Sequence, residues 1–208
     1  NKYGVPLSIL NSPQSTKFSV LEVGMDKKGE IDSLTKLIRP NLGLITNISY
    51  AHIKNFKNLN EIAKAKGEII NNIFPSGVMI INKDDKFCNY FLSRAKMRNL
   101  NIITFSKKNK LADVVYLGQK KNRNEYLCKF LIKAKIKFFA IPEHLINYKE
   151  NILSTLSIIS SYFNIDELPT SLFLNFEIPK SRGSIVNYNI GKKKITIIDE
   201  SYNSNPLS

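Results

Sequence analysis

Short apolar runs alternate with amphipathic stretches of helical length through the first half of the chain. Four runs have the length and the Val, Ile and Leu content of strands, at residues 18–23, 42–48, 78–82 and 101–105. Between them, apolar residues recur at helical spacing at residues 29–38, 59–73 and 85–97. This alternation predicts parallel strands that are buried on both faces and connected by right-handed helical crossovers.

The pattern changes near residue 113. Three consecutive runs read as strands joined by turns, which predicts an antiparallel extension of the sheet, at residues 113–119, 125–132 and 135–141. Two helices are predicted after them, at residues 148–163 and 166–175, and two further strands at 184–189 and 194–199. The predicted fold is therefore α/β, a mostly parallel Rossmann-like sheet flanked by helices, with an antiparallel extension.

The composition fits a globular protein without a membrane span or a signal peptide. The chain has 208 residues, of which 43% are hydrophobic, and no apolar run reaches the roughly 18–20 residues that a span requires. The net charge of +14 raises the question of nucleic-acid binding. The lysines are nevertheless spread along the chain and form no basic helix with interleaved aromatic residues, so we expect no nucleic-acid partner. Cys88 and Cys128 are expected to be reduced core thiols of a cytosolic protein.

A carboxylate, a histidine and a lysine follow one another in an order that suggests chemistry at one edge of the sheet. Glu22 ends a predicted strand, His52 follows the next strand, and Lys66 lies in the helix after it. The carboxyl ends of parallel strands commonly bind ligands, and Mg²⁺ prefers carboxylate and phosphate oxygens. The three residues therefore predict a site for a divalent metal and phosphate. Each residue taken singly is also explained as an ordinary solvated or capping side chain.

Both ends of the chain look cut. The chain opens on Asn1-Lys2-Tyr3-Gly4 without a preceding strand, and it closes on a turn-forming cluster at residues 201–206. It contains no Gly-x-x-x-x-Gly-Lys-Ser/Thr motif, which would cradle a phosphate. We therefore expect a piece of a longer protein, and we expect the isolated chain to be catalytically inactive.

A series of short motifs resembles, in order, the central ATPase domain of the Mur ligases. The last of them resembles the hinge of the MurF-type members and differs from the hinges of folylpolyglutamate ligases and of other Mur ligases. Asp26 departs from the Asn that this family usually has after the Glu22 motif. The motifs are Asn1-x-x-Gly4-Val5-Pro6, Glu22-Val23-Gly24-Met25, Thr46-Asn47, Ala51-His52, Lys64-Ala65-Lys66-Gly67-Glu68, Asn82-Lys83-Asp84-Asp85, Arg182-Gly183 and Asp199-Glu200-Ser201-Tyr202-Asn203-Ser204-Asn205-Pro206.

The resemblance implies a set of residue roles. Glu22, with a P-loop threonine, would hold the Mg²⁺ on the ATP phosphates, and His52 and Lys66, the latter as a carbamate formed with CO₂, would hold a second Mg²⁺. These three residues with Arg182 would be the catalytic residues. Arg182 would reach the nucleotide phosphates. The other residues implied in ATP binding are Thr46, Asn47, Asn147, Asn151, Glu200 and Asn203, and those implied in substrate binding are Asn1 and Asn47.

Two departures from the family pattern affect the nucleotide contacts. The family usually has His-Asn-x-x-Asn at the start of the long helix, whereas residues 143–151 carry His144 and the asparagines at wider spacing. The adenine contact therefore stays open between Asn147 and Asn151. Glu200 stands where the family has an Asp that contacts the ribose, and its longer side chain would shift that contact.

The implied parent protein is a bacterial, cytoplasmic, ATP-dependent amide ligase that acts as a monomer. It would join D-alanyl-D-alanine to a UDP-N-acetylmuramoyl-tripeptide through an acyl phosphate, in peptidoglycan precursor synthesis. Residues 1–200 would form the central domain and residues 201–208 the start of a hinge. The alternatives are another Mur or folylpolyglutamate-type ligase, and a basic, non-catalytic RNA-binding module whose binding would depend strongly on salt.

Overall fold

A six-stranded sheet in chain order forms the centre of the described part of the chain. The computed structural model describes residues 2–49, 55–179, 181–191, 193–199 and 201–202. The first four strands pair in parallel and the last two join antiparallel. The strands are β1 Leu42–Ile45, β2 Val78–Asn82, β3 Asn101–Ser106, β4 Val114–Asn122, β5 Glu125–Ile132 and β6 Lys135–Pro142.

Helices flank this sheet, and a separate antiparallel hairpin follows it. Within the described residues the helices are α1 Gly4–Leu10, α2 Glu30–Ile38, α3 Leu59–Lys66, α4 Cys88–Met97 and α5 Lys149–Tyr162. Short 3₁₀ helices occur at Gly67–Asn72, Glu143–Leu145 and Ile165–Glu167, and the hairpin strands are β7 Ser184–Ile190 and β8 Lys193–Asp199. None of the helices in the described ranges is long and apolar enough to cross a membrane.

Both faces of the parallel strands are buried. On β2, Met79 and Ile81 pack with α3 and α4 in one core cluster, while Ile80 packs with Leu153 and Leu156 of α5 in a second. Side chains alternate between the two faces of a strand, so each face needs its own apolar residues. This requirement explains why the parallel strands have continuous rather than alternating apolar sequences, and it confirms the predicted fold class.

The predicted first strand at residues 18–23 is wrong, because this segment has no regular secondary structure. Phe18 and Val20 are 56% and 89% exposed, and the Phe18 ring contacts the rings of Tyr162 and Phe163 at the end of α5. A strand exists only where its backbone groups find a hydrogen-bonding neighbour, and none of the described strands pairs with this segment. The predicted strand at 42–48 also ends early, at Ile45, and α1 was not predicted.

Two predicted helices are also shorter than expected. The stretch 59–73 is α-helical only to Lys66 and then tightens into a 3₁₀ helix that begins at Gly67, a residue of low helix propensity. The predicted helix at 166–175 is reduced to the single 3₁₀ turn Ile165–Glu167. Pro169 accounts for this end, because the residue before a proline is driven out of the α region, and Leu168 has ψ 126°.

Candidate functional site

Polar residues collect at the carboxyl edge of the parallel strands. The loop after β1 begins at Thr46, the loop after β2 begins at Lys83, and Lys107 follows β3. Because β1, β2 and β3 are parallel and adjacent, their carboxyl ends lie at the same edge of the sheet. This is the edge at which open α/β sheets bind ligands.

Three side chains hold three consecutive backbone groups of the loop after β1. Asn82 Nδ2 donates to the Thr46 carbonyl at 2.9 Å, and Lys66 Nζ donates to the Asn47 carbonyl at 3.1 Å. The Ile48 N–H donates to Asp85 Oδ2 at 2.7 Å. These three contacts, which we call the loop clamp, fix the backbone of residues 46–48 and leave the Thr46 and Asn47 side chains exposed.

Lys66 is set in this position by the local geometry of α3. Asn58 caps the helix by accepting from the Glu61 N–H at 3.1 Å, and Glu61 in turn accepts from the Lys57 N–H at 2.9 Å. The Glu61 carboxylate accepts from the residue before the N-cap rather than from the N-cap N–H, so the arrangement resembles a capping box, and the Asn58 cap fixes where the helix begins. The last residue of α3 then turns its side chain toward Asn47.

Burial changes the chemistry of Lys66. Desolvation lowers the pKa of its ammonium, and the nearby carboxylate of Asp85 opposes that shift. Lys64, two residues earlier, is exposed. Because two residues of a helix are separated by about 200°, the two lysines lie on different sides of α3 and only Lys66 takes part in the loop clamp.

A chain of polar contacts connects this edge to the start of α5. Asp84 accepts from the Ser106 hydroxyl at 2.6 Å and from the Lys107 N–H at 2.7 Å. The Lys107 ammonium forms an ion pair with Glu150 in the first turn of α5, at 2.6 Å. Asn147 and Asn151, the two candidates for the adenine contact, flank this turn and are both exposed.

Arg182 lies close to the same helix start. The Tyr148 hydroxyl donates to the Arg182 carbonyl at 3.2 Å, and the Arg182 guanidinium lies over the Tyr202 ring, 4.1 Å from its centroid. The Asp199 carboxylate accepts hydrogen bonds from the Ser201 N–H and from the hydroxyl of Ser181, the residue next to Arg182. The hydrogen bonds from Ser201 lower the pKa of Asp199. The exposed guanidinium is therefore presented beside the beginning of α5.

Of the remaining predicted site residues, the structure describes Glu22, and Glu22 does not join this group. Glu22 lies in the irregular segment and is exposed, and no hydrogen bond or ion pair joins it to Lys66 or Asn47 among the described residues. In that same part of the chain, no three His, Cys, Asp or Glu side chains form a group that could hold a metal ion. The predictions for Asn1, His52, Glu200 and Asn203 fall outside the described residues.

Sequence reasoning assigned no role to Asn82 and Asp85. Both belong to the motif Asn82-Lys83-Asp84-Asp85, which was the available signal. Asn82 is only 4% exposed, and Asp85 also accepts from the Phe87 N–H at 2.8 Å, next to the start of α4. Their contribution to the site is made through the backbone of residues 46–48, which sequence spacing does not reveal.

A cleft of about 450 Å³, separate from the loop clamp, lies beside α2, and Lys64 is one of the residues that line it. Its buried member is Glu68, whose carboxylate accepts from the Gly29 N–H at 2.9 Å and from the Asp32 N–H at 3.2 Å. These bonds satisfy backbone donors at the start of α2, where no earlier turn of helix can do so. The cleft is lined by Lys28, Gly29, Asp32, Lys64, Glu68, Asn71, Tyr90 and Arg94.

Comparison with known proteins adds a family match over most of the chain. Residues 1–167 match the family model of the Mur ligase middle domain. The chain is 30% identical over 213 residues to the UDP-N-acetylmuramoyl-tripeptide–D-alanyl-D-alanine ligase of Rickettsia prowazekii, covering 100% of this chain and 45% of that protein. The chain thus spans less than half the length of this curated relative.

Solved structures share the fold over nearly the whole chain. A crystal structure of MurF from Acinetobacter baumannii aligns with a TM-score of 0.82 and 23% identity, over 98% of this chain and 43% of that one. The MurF ligase of Thermotoga maritima in complex with ADP aligns with a TM-score of 0.76 and 22% identity, over 99% of this chain and 45% of that one. At these identities the structural likeness establishes the fold.

Proposed function

The chain belongs to the Mur ligase middle-domain family, and from that premise we propose that it is the ATP-binding central part of an ATP-dependent ligase. The substrates we propose are a UDP-N-acetylmuramoyl-tripeptide and D-alanyl-D-alanine, the pair that the name of the Rickettsia relative implies. The ADP bound in the Thermotoga relative supports ATP as the phosphate donor. The setting we propose is the bacterial cytoplasm, during synthesis of peptidoglycan precursors.

The observation that carries the proposal is the difference between the two lysines of α3. Lys66 is half-buried, has a lowered pKa and contacts Asn47, whereas Lys64 is exposed. A lysine that serves only as a solvated helix residue keeps its ammonium in water. The inward placement of Lys66 at the carboxyl edge of the sheet therefore supports a chemical role at this position.

The donor chemistry of these residues suits a magnesium ion. A protonated lysine cannot bind a cation, but the neutral amine favoured by burial attacks CO₂, forms an N–C bond and releases one proton. The resulting carbamate offers anionic oxygens, which Mg²⁺ prefers together with carboxylates. Glu22 would hold one Mg²⁺ on the phosphates of ATP, and His52 and the carbamate of Lys66 would hold a second. The two ions would supply charge neutralisation during transfer of the phosphoryl group.

The reaction we propose consists of two substitutions. A carboxylate of the tripeptide attacks the γ-phosphorus of ATP, forming an acyl phosphate and releasing ADP. The amine of D-alanyl-D-alanine then attacks the acyl carbon, forming the amide, losing a proton and releasing inorganic phosphate. This chain would contribute orientation, because the loop clamp fixes the backbone of residues 46–48, and positive charge, because Arg182 is presented beside α5.

The test is formation of the product by the full-length protein that contains this chain. The protein is incubated with ATP, Mg²⁺, the UDP-linked tripeptide and D-alanyl-D-alanine, and the UDP-linked pentapeptide is detected by mass spectrometry together with phosphate release. We expect the product only when all components are present. Product with a single amino acid such as glutamate in place of the dipeptide would point to another branch of the family, and absence of any ATP-dependent product would contradict the proposal.

A further inference from the structure

A buried carboxylate joins two parts of the chain that carry proposed metal ligands. Glu68 is 7% exposed and lies two residues after Lys66, in the 3₁₀ helix that follows α3. Its carboxylate accepts from the Gly29 N–H at 2.9 Å and from the Asp32 N–H at 3.2 Å, at the start of α2. The irregular segment that contains Glu22 leads directly into this helix. Glu68 therefore connects the helix that carries Lys66 with the chain that follows Glu22.

The junction after Lys66 is also held by α4. A Cβ added at Gly67 would lie 3.2 Å from Cε1 of Phe91 and 3.3 Å from Cε1 of Tyr90, so α4 packs directly against the Gly67 backbone. Three consecutive residues thus fix this point of the chain on three sides. Lys66 contacts the loop after β1, Gly67 contacts α4, and Glu68 contacts α2.

The loop between Glu22 and α2 is folded against the first turn of that helix. The Glu30 carboxylate accepts from the Asp26 N–H at 2.6 Å and from the Lys27 N–H at 3.1 Å. Glu68 holds the N–H of Gly29 at the other end of the loop. A contact that fixes the start of α2 therefore also fixes the loop that follows Glu22.

Apolar packing by itself does not set the position of Glu22 relative to Lys66. Met25 is 5% exposed and belongs to the same core cluster as Ala65 of α3. Apolar contacts are not directional, so they hold the segment against α3 but leave its position along the helix open. The hydrogen bonds to Glu68 fix that position, because they require a short distance and a favourable angle.

We propose that Glu68 is a positioning residue that sets the distance between Glu22 and Lys66. The inference rests on the proposed function, in which Glu22 holds one Mg²⁺ and Lys66 helps to hold a second. Two metal ions that act on one phosphoryl transfer lie about 3.5–4 Å apart, so the segments that carry their ligands must keep a constant separation. Within the described ranges no hydrogen bond or ion pair joins Glu22 to Lys66 directly, and the separation therefore depends on contacts made next to them.

The test measures how strongly Mg²⁺ tightens nucleotide binding by the full-length protein. The Kd for AMP-PNP, an ATP analogue whose γ-phosphate is not transferred, is determined by calorimetry with Mg²⁺ and with EDTA. In Glu68→Ala we expect the Kd with Mg²⁺ to rise about 10-fold, the lower end of the range for residues that orient metal ligands, and the Kd in EDTA to stay unchanged. A Kd with Mg²⁺ equal to that of the unmodified protein would overturn the inference.

A conservative variant separates geometry from folding. Glu68→Gln keeps the length of the side chain and one of the two acceptor oxygens, so its Kd with Mg²⁺ should lie between those of the unmodified protein and Glu68→Ala. The Asn72 side chain continues to hold α2 in both variants, since it donates to the Asp32 carbonyl at 3.1 Å and to the Thr35 hydroxyl at 2.9 Å. Both variants should therefore fold, with unchanged circular dichroism.

The matched control is Asp113→Ala. The Asp113 carboxylate also accepts a backbone N–H of another element, that of Thr104 at 2.7 Å, but it belongs to the β3–β4 pair rather than to α2 or α3. This variant should lose stability and leave both Kd values unchanged. If it raised the Kd with Mg²⁺ as much as Glu68→Ala does, the effect would be general destabilisation, and the inference would be overturned.

Hydrogen–deuterium exchange provides a readout that does not depend on nucleotide. Peptides that cover residues 26–33 should exchange faster in Glu68→Ala, because the Gly29 and Asp32 N–H groups lose their acceptor, and should be unchanged in Asp113→Ala. Equal exchange of these peptides in Glu68→Ala and in the unmodified protein would overturn the inference.

Failure of the inference is distinguishable from failure of the proposed function. If the unmodified full-length protein binds AMP-PNP equally well with Mg²⁺ and with EDTA, the proposed function fails and this inference fails with it. If Mg²⁺ tightens binding to the same extent in the unmodified protein and in Glu68→Ala, the inference about Glu68 alone fails.

Discussion

Replacing Asp85 with alanine removes one of the three contacts of the loop clamp. Its carboxylate accepts from the Ile48 N–H at 2.7 Å and from the Phe87 N–H at 2.8 Å. Ile48 is only 9% exposed, so water cannot readily replace the lost acceptor at its N–H. The substitution therefore leaves a buried donor without a partner next to Asn47.

The size of the effect follows from the charge of the acceptor. A hydrogen bond to an ionised group contributes roughly 1.5–3 kcal/mol, and an unsatisfied buried donor costs a similar amount. If local opening at Ile48 becomes easier by that free energy, its amide should exchange with solvent deuterium roughly 10- to 150-fold faster. Exposed ion pairs contribute about 1 kcal/mol or less, so Asp166→Ala, which breaks the exposed pair with Lys135, is the matched control.

Hydrogen–deuterium exchange of the full-length protein, followed by mass spectrometry of peptides that cover residues 44–49, measures this directly. We expect faster exchange in Asp85→Ala and unchanged exchange in Asp166→Ala. If Asp85→Ala left the protection of Ile48 as it is in the unmodified protein, the loop would be held by something other than the clamp, and our reasoning about residues 46–48 would be refuted.

Three further predictions concern packing, pH and the proposed metal ligands. Gly77→Ala should lower the stability by about 1–3 kcal/mol, because an added Cβ would lie 2.6 Å from the Asn41 carbonyl oxygen, whereas Gly24→Ala, where nothing lies within 4 Å, should leave the melting temperature unchanged. A hydrogen bond from the Lys36 ammonium is the main cause that lowers the pKa of the Asp32 carboxyl, and the Asn71 and Asn72 side chains contribute less. The Asp32 carboxylate therefore stabilises the folded protein above about pH 4, its unfolded-state pKa, and this contribution is lost as the pH falls through the lower folded-state pKa. Acid titration of Asp32→Asn should accordingly show a shallower loss of stability below about pH 4, and an unchanged slope would contradict the assignment. In the full-length enzyme, Glu22→Ala and His52→Ala should each lower turnover by about 10²-fold or more, and near-normal turnover at saturating Mg²⁺ would remove that residue from the proposed site.

Sequence alone predicted the strands that need only a continuous run of apolar residues to form a face of the core. The strands at Val78–Asn82 and Glu125–Ile132 have the predicted bounds. A strand that forms a face of the core needs a run of apolar residues, and the polar or turn-forming residues on either side of that run mark where the strand begins and ends. The segment at 18–23 has the same apolar character but no strand, since strand formation depends on a neighbouring backbone and that neighbour is not encoded in the segment itself. Apolar pattern and hydrogen-bonded pairing are therefore separate requirements.

The candidate site shows a similar division. Helical periodicity separates Lys66 from Lys64, so the side of α3 that each occupies could be predicted, and the structure agrees. The roles of Asn82 and Asp85 could not be predicted, because both act on backbone groups more than 30 residues away. Contacts of a side chain with a distant backbone leave no periodic signal in the sequence.

The most direct test of the proposed ligase mechanism compares the two lysines of α3 in the full-length enzyme. Lys66→Ala should be nearly inactive, and small carboxylates such as formate or acetate in the buffer should restore part of the activity by occupying the position of the carbamate. Lys64→Ala should keep normal activity, because that side chain is exposed on the other side of the helix. Equal and mild effects of the two substitutions, or full activity of the unmodified enzyme after rigorous removal of CO₂, would contradict the account.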